Sequence, residues 1–206
     1  MKRNTMLAVF YFCLALLCLM VFSPIKGSDN IYDSVIRIHV LANSDSQKDQ
    51  TIKLRVRDRI LEYAKESLPR AKDRDEAEAI LQDHLDEVHA LTLRTLEEYQ
   101  VGYEANVVLD KEEYRTREYE SLRLPAGEYL SLRVQLGEAA GQNWWCVLFP
   151  PVCLNSSVKT EDALIDAGMN EENVKTVTVD QSEYRIKFKI VELWHGARQK
   201  ISGLFS

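Results

Sequence analysis

The fold is decided by residues 35–50, VIRIHVLANSDSQKDQ. Val35 to Leu41 is rich in β-branched residues and partly alternating, which predicts a strand. Ser44 and Gln47 lie three residues apart and form a capping box, because each side chain can satisfy the other residue's free backbone donor. The stretch therefore predicts a first strand, a tight polar turn and the start of a helix.

Two amphipathic helices are predicted to follow this turn. In the first, apolar residues recur every four positions as far as Pro69, at Ile52, Val56, Ile60, Ala64 and Leu68. The second is predicted to run from Asp73, with Glu76 three residues on, to Gly102, where a left-handed residue suits a helix end. Joined by residues 69–72, the two would form a long helical hairpin.

The second half of the chain is predicted to be mostly β. Alternating patterns indicate strands over residues 103–109 and 130–136, and a third apolar run covers residues 143–149. A short helix is predicted from Thr160 to Ala167, with Gly168 as its stop. Residues 184–201 fit either a strand that leads into a helix or one long helix. The expected fold class is α+β, one globular domain with a mixed or antiparallel sheet and a long helical hairpin, behind an N-terminal signal or anchor helix.

The N-terminus has the pattern of an export signal. Lys2 and Arg3 precede seventeen residues, Met6 to Phe22, without a charge or a proline. The run falls just short of a comfortable membrane span. We expect residues 1–27 to be a signal peptide cleaved near Gly27 or Ser28, or else a retained anchor, and residues 28–206 to be the exported domain.

Charge excludes some classes of partner. The chain has 26 basic and 32 acidic side chains, a net charge of −6, which becomes −9 once residues 1–27 and their three basic side chains are removed. The negative net charge of such a domain disfavours binding to the phosphate backbone of nucleic acid. Membrane contact is expected only through the N-terminal segment.

The cysteines agree with an exported domain. Cys13 and Cys18 lie in the apolar run, which leaves Cys146 and Cys153 on either side of Pro150 and Pro151. A turn at the prolines would allow a disulfide, which persists outside the cytoplasm. Two buried thiols are the alternative.

No catalytic motif stands out. The four histidines are scattered, and the sequence contains no HExxH, no Gly-x-Ser-x-Gly and no aspartic protease signature. Cys146 and His39 could form a thiol hydrolase pair, but the apolar neighbours of Cys146 would raise its pKa. We therefore expect no enzyme, and no metal, cofactor or small-molecule substrate. A thiol-dependent or other envelope hydrolase is the alternative, and a membrane-anchored structural component is a third reading.

Two groups of residues are candidates for binding a protein partner. The first is the polar corner after the first strand, formed by His39, Asn43, Ser44, Asp45, Asp49 and Gln50. Helix capping accounts for part of this group but not for six polar side chains. The second is Asn143 with Trp144 and Trp145, since adjacent strand residues point to opposite faces. One of the two tryptophan rings is then exposed and can anchor a protein–protein contact, unless both faces of the sheet are covered.

Several of these stretches resemble one protein family. Residues 38–46, IHVLANSDS, followed by Asp49-Gln50 and by residues 53–58, KLRVRD, resemble the opening signature of stage II sporulation protein R. Residues 124–129, LPAGEY, and 141–153, GQNWWCVLFPPVC, resemble its second signature. Both motifs occur in the family's order behind an export segment.

The resemblance implies a signalling protein of endospore-forming bacteria. Such a protein is made in the forespore and exported into the space between the forespore and mother-cell membranes. There it activates a membrane-embedded aspartic protease, which removes the pro-sequence of a mother-cell sigma factor. The resemblance thus implies that protease as the partner, and we expect the two candidate groups to form the contact surface.

Overall fold

The computed structural model describes residues 10–12, 31–119, 122–151 and 160–178, apart from the side chain of Pro69. It has the expected α+β class and a mixed sheet. In chain order the elements are β1 (Ile36–Leu41), α1 (Gln47–Ser67), a 3-10 turn (Leu68–Arg70), α2 (Arg74–Asp83), α3 (Leu85–Glu98), β2 (Ala105–Tyr114), β3 (Arg117–Glu118), β4 (Arg123–Leu124), β5 (Gly127–Leu136), β6 (Asn143–Phe149), α4 (Thr160–Asp166) and α5 (Glu171–Val177).

The main sheet has the strand order β2-β5-β1-β6, with β1 in its interior. Strand β1 pairs in parallel with β5 and antiparallel with β6, and β2 pairs antiparallel with β5. A parallel pair needs a long crossover, which the segment containing the helices α1 to α3 supplies. Strands β3 and β4 form a separate two-stranded sheet.

One face of the main sheet is covered by the helices. Ile36, Ile38 and Val40 of β1 point to this face and are fully buried. The predicted stripe of α1 packs in the same core, and all five of its residues are buried: Ile52, Val56, Ile60, Ala64 and Leu68. The side chains spaced four apart in α1 therefore pack against the side chains spaced two apart in β1. We call this side of the sheet the helix face.

The opposite side of the sheet, here called the second face, has its own apolar core at one end. Tyr129 of β5 and Val147 of β6 meet residues of α4 and α5 there, including Leu164 and Val174. Leu122 next to β4 pairs with Thr178, which brings the end of α5 to the β3–β4 sheet. Both faces of the sheet are thus covered at this end.

The prediction of one long second helix was wrong. Residue His84 has φ −102° and ψ 12°, outside the helical region, and it separates α2 from α3. The break lets α2 bury Ala77 and Leu81 while α3 directs Val88 and Leu96 into the same core. Helix α3 runs antiparallel to α1, since Arg59 bonds to Glu98 and Tyr63 to Glu87.

The prediction that the second helix ends at Gly102 was also wrong. Helix α3 ends at Glu98, and Gln100, not Gly102, takes the left-handed conformation, with φ +51°. The amide of Gln100 donates to the Glu97 carbonyl and that of Val101 to the Leu96 carbonyl, the two bonds of a Schellman motif. Gly168 closes α4 in the same way, as predicted, with φ +86°.

The terminal segments lie mostly outside the described residues. Of the apolar run, only residues 10–12 are described, and they are helical. Among the described residues, no helix is long and apolar enough to cross a membrane. The predicted elements between residues 184 and 201 fall outside the described ranges.

Replacing Gln100 with glycine should stabilise the protein. Glycine adopts a positive φ without steric cost, so we expect Gln100→Gly to raise the free energy of unfolding by about 0.5–1 kcal/mol. Urea unfolding measures this change. Gly168→Ala is the matched control, because its Cβ would meet nothing within 4 Å and only backbone strain would oppose it. A loss of stability in Gln100→Gly would contradict the proposed helix stop.

Candidate functional site

Asp49 is the centre of the polar corner. Its carboxylate accepts hydrogen bonds from Asn43 Nδ2 at 2.9 Å, Ser44 Oγ at 2.6 Å and Tyr103 OH at 3.2 Å. The side chain is only 7% exposed, so these donors replace the water it loses on folding. The corner thus joins the β1–α1 turn to the segment before β2.

The predicted cap of α1 was off by two residues. Ser46, not Ser44, is the N-cap, and its Oγ accepts from the backbone amide of Asp49 at 3.1 Å. Ser44 lies in the preceding turn, where its Oγ accepts from the Ser46 amide and donates to Asp49. A serine two residues before the cap cannot reach the free amides of the first helical turn, so the cap falls to Ser46.

A second set of bonds ties the corner to the loop between β5 and β6. Asp45 Oδ1 accepts from the backbone amide of Gln142 at 2.6 Å, and Asn43 Oδ1 accepts from that of Glu138 at 3.0 Å. Gly141 N donates to the Ala42 carbonyl at 2.9 Å. A Cβ on Gly141 would lie 2.2 Å from the backbone oxygen of Ser44, so only glycine allows this approach.

Gln50 completes the corner through a buried lysine. Gln50 Nε2 donates to the Ser44 carbonyl at 2.9 Å, and its Oε1 accepts from Lys53 Nζ at 2.6 Å. Lys53 also donates to the Gln142 carbonyl at 2.9 Å. Burial, followed by the positive charge of Arg57, lowers the pKa of Lys53. The predicted corner residues therefore have internal partners that account for their polarity, and their role in binding a partner stays a prediction.

The hydrogen bonds at the corner lower the pKa of Asp49. The bond from Ser44 is the largest cause, burial opposes it, and the bonds from Asn43, Tyr103 and Ser46 add to the lowering. Burial and the Asp49 charge raise the pKa of Tyr103, so its hydroxyl stays protonated and donates. Asp49 is therefore a carboxylate at neutral pH.

His39 is not part of this corner. It points to the second face, where its Nδ1 lies 2.8 Å from Glu112 Oε1. Tyr114 OH donates to Glu112 Oε2 at 3.0 Å and lies 2.7 Å from Ser131 Oγ. Glu112 belongs to β2 and reaches β1 across β5, where the small side chain of Ser131 leaves room.

The carboxyl of Glu112 has a lowered pKa. Burial would raise it, but the hydrogen bond and charge of His39, with bonds from Tyr114 and Ser131, outweigh that effect. An ionised carboxylate only accepts hydrogen bonds, so His39 Nδ1 is the donor in this pair. The other ring nitrogen of His39, Nε2, is buried without a hydrogen-bond partner in the described part of the chain.

Arg37 lies next to this network and is fully buried. Its guanidinium carbon is 3.7 Å from the ring centroid of Tyr114 and 5.0 Å from that of Tyr129. Arg37 Nη2 donates to Tyr119 OH at 2.6 Å, and no carboxylate of the described residues pairs with it. Aromatic faces thus take the place of a counterion, and the arginine holds the segment after β3 against the sheet.

The two adjacent tryptophans lie on opposite faces of β6, as predicted. Trp144 packs against the core of the helix face, with the Arg57 guanidinium 4.9 Å from its ring. Trp145 stacks on His39, with 5.1 Å between ring centroids and 23° between ring planes, and the Arg117 guanidinium lies 3.8 Å from its ring. Both tryptophans are half-buried, so each is packed in part and reachable in part.

Cys146 and His39 do not face each other. In the pairing of β1 with β6, Cys146 lies opposite Ile38, while Trp145 lies opposite His39. Directly paired residues share a face, so the cysteine points to the helix face and His39 to the second face. Cys153 lies outside the described residues, and a disulfide between Cys146 and Cys153 stays a prediction.

Several residues of the second face escaped the sequence analysis: Arg37, Glu112, Tyr114, Arg117, Ser131 and Arg133. They come from four strands, and they are brought together by the register of the main sheet and by the contact of Arg117 with Trp145. The one available signal was Arg37, an arginine within the mostly apolar first strand. Among the described residues, no group of three or more histidine, cysteine or acidic side chains could hold a metal ion.

Comparison with known proteins gives one consistent result. Residues 32–159 match the family described as stage II sporulation protein R. The chain is 31% identical to stage II sporulation protein R of Bacillus subtilis (strain 168), over the full length of both chains. No solved structure matches.

Removing the charge of Asp49 should destabilise the protein in a pH-dependent way. At neutral pH we expect Asp49→Asn to lower the free energy of unfolding by about 2 kcal/mol, because its amide group would face the donors of Asn43 and Ser44. The pKa of Asp49 is lowered in the folded protein. The contribution of the Asp49 carboxylate to the free energy of unfolding is therefore fully present above the ordinary pKa of aspartate, at about pH 4. It is lost as the pH falls through the lower pKa of the folded protein.

Urea unfolding of both proteins between about pH 7 and about pH 3 measures this difference. The gap between wild type and Asp49→Asn should close at the acidic end. Asp110→Asn is the control, because that carboxylate is exposed. A gap that stays constant with pH would show that the charge of Asp49 does not stabilise the corner.

Proposed function

The chain belongs to the stage II sporulation protein R family, and we propose that it is an exported sporulation signalling protein that activates a membrane-embedded aspartic protease. The protease would then remove the pro-sequence of a mother-cell sigma factor. The observation that carries this proposal is the family match, which spans residues 32–159 and so includes the six strands of the described residues.

The proposed site of action is the space between the forespore and mother-cell membranes. The basic start and apolar run of residues 1–22 support export. Residues 1–27 would be either a cleaved signal peptide or a retained anchor. A retained anchor would restrict the signal to the membrane gap that the domain faces.

The proposed contact surface is centred on β6, with the polar corner beside it. Asn143, Trp144 and Trp145 are half-buried and lie on an edge strand of the sheet. Tryptophans that are packed on one side and reachable on the other are typical anchors of protein contacts. The corner supports this surface, because its bonds to residues 138–142 fix the loop that leads into Asn143.

The proposed signal is non-catalytic. The thiol hydrolase alternative requires Cys146 and His39 to meet, and the two side chains leave the sheet on opposite faces. His39 is moreover engaged with Glu112. A protein ligand needs neither residue as a nucleophile or a base.

The proposal predicts that this chain replaces the relative of Bacillus subtilis. Expressed in the forespore of a strain that lacks its own stage II sporulation protein R, the full chain should restore sigma-factor processing. A chain without residues 1–27 should not restore it, because the domain would stay in the compartment that makes it. Immunoblots of the sigma-factor precursor and product measure the effect.

Variants of the contact surface refine this test. Trp144→Leu and Trp145→Leu keep an apolar side chain in each core. Each should lower processing about tenfold or more, because a lost interface anchor typically costs about 2 kcal/mol and about 1.4 kcal/mol corresponds to a tenfold change in affinity. Leu54→Ala is the control, because Leu54 is an exposed apolar residue of α1. Unchanged processing in the variant with both tryptophans replaced would refute the proposed surface.

Replacing Cys146 and Cys153 distinguishes a structural role of the two cysteines from a catalytic one. If Cys146 and Cys153 are joined, replacing both with alanine should lower the free energy of unfolding by about 2–3 kcal/mol, and a reducing agent should then have no further effect. Processing should continue at a temperature where the variant is folded. A folded variant without any processing would favour the thiol hydrolase instead.

A further inference from the structure

One row of side chains crosses the second face of the main sheet. Arg133 of β5 is the register partner of His39 of β1, and His39 is the partner of Trp145 of β6. Arg117 extends the row, with its guanidinium 3.8 Å from the ring of Trp145. These four residues, Arg133, His39, Trp145 and Arg117, are here called the cationic row.

The two arginines of the row differ from other half-buried arginines. Arg57, Arg74 and Arg123 each pair with a carboxylate, at 2.6 to 3.2 Å from Asp58, Glu78 and Glu118. Arg117 and Arg133 have no such pair within the described ranges, although the whole chain has a net charge of −6. A half-buried guanidinium has lost part of its hydration, so a missing counterion is costly.

The centre of the row also has an unused polar atom. His39 is 6% exposed, and its Nε2 has no hydrogen-bond partner in the described part of the chain. Among the described residues, the carboxylate within reach is that of Glu112, which is already bonded to His39 Nδ1 and Tyr114 OH. The row therefore carries excess positive charge that no described residue of the protein neutralises.

We infer that the cationic row binds an acidic segment of the protein partner. Aspartate or glutamate carboxylates of that segment would bind the guanidinium groups of Arg117 and Arg133, whose planar donors match a carboxylate. The exposed part of the Trp145 ring would contact the apolar neighbours of those carboxylates. Since Trp145 lies on β6, an edge strand, and Arg117 lies against its ring, a partner would reach the row from that edge of the sheet.

This inference rests on the proposed function, because it specifies the chemistry of the partner in the same contact. The test uses the purified full chain and the detergent-solubilised protease. The variants are Arg117→Glu, Arg133→Glu and both together. Arg55→Glu and Arg94→Glu are the controls, since they change the net charge equally on exposed residues of α1 and α3.

We expect the double variant to bind the protease about tenfold or more weakly than wild type, and both controls to stay within about twofold. Wild-type binding should weaken at high salt, and that of the double variant should depend less on salt. Charge reversal of the acidic partner segment should restore binding of the double variant. Equal affinity of the double variant and the controls would overturn the inference while leaving the proposed function intact.

Failure of the wild-type chain to bind or activate the protease would instead reject the proposed function, and with it the inference. A photo-crosslinking amino acid at Gln135, a half-buried neighbour of Arg133 on the same face, identifies the occupant of the row. We expect crosslinks to an acidic segment of the protease. Crosslinks to residues 179–206 of the same chain would overturn the inference, because the row would then serve the protein's own C-terminal segment.

Discussion

The structure depends on β1, a six-residue strand that pairs with β5 and β6 at its edges and is buried on both faces. Its even-numbered residues are aliphatic and supply the core under α1. Its odd-numbered residues Arg37 and His39 cannot be buried in the same way, so the second face provides aromatic rings for the arginine and a carboxylate for the histidine. One strand thus determines an apolar side and a polar, aromatic side of the same sheet.

The sequence was sufficient to predict the helices and strands whose apolar residues recur at a regular spacing within one segment. The stripe of α1 and the alternation of β5 are each contained in one segment, and both agree with the structure. The break at His84 was not predictable in this way, because apolar residues keep helical spacing on both sides of it. The shift of the cap from Ser44 to Ser46 depends on the length of the turn, which one capping pattern cannot fix.

The candidate site was only half visible in the sequence for a similar reason. The corner residues lie close together in the chain, so their clustering around Asp49 could be foreseen, although their bonds to residues 138–142 could not. Glu112 and Arg133 reach His39 only through the pairing of three strands. A single sequence does not contain that register, and neither residue belongs to a recognisable motif.

The two candidate regions have different roles in this account. The corner has a structural role, because its polar groups form hydrogen bonds with one another and with the backbone that leads into β6. We propose that the tryptophans and the arginines beside them are the part of this region that a partner contacts. On the proposed function, such a protein would act by presenting a fixed surface, and its specificity would lie in the charge and aromatic pattern of that surface.

The most direct measurement is hydrogen–deuterium exchange of the full chain with and without the detergent-solubilised protease. We predict slower exchange in the backbone amides of β6 and of the loop before it when the protease is present. Unchanged exchange there, with protection confined to the exposed sides of α1 and α3, would contradict the claim that this edge of the sheet carries the signal.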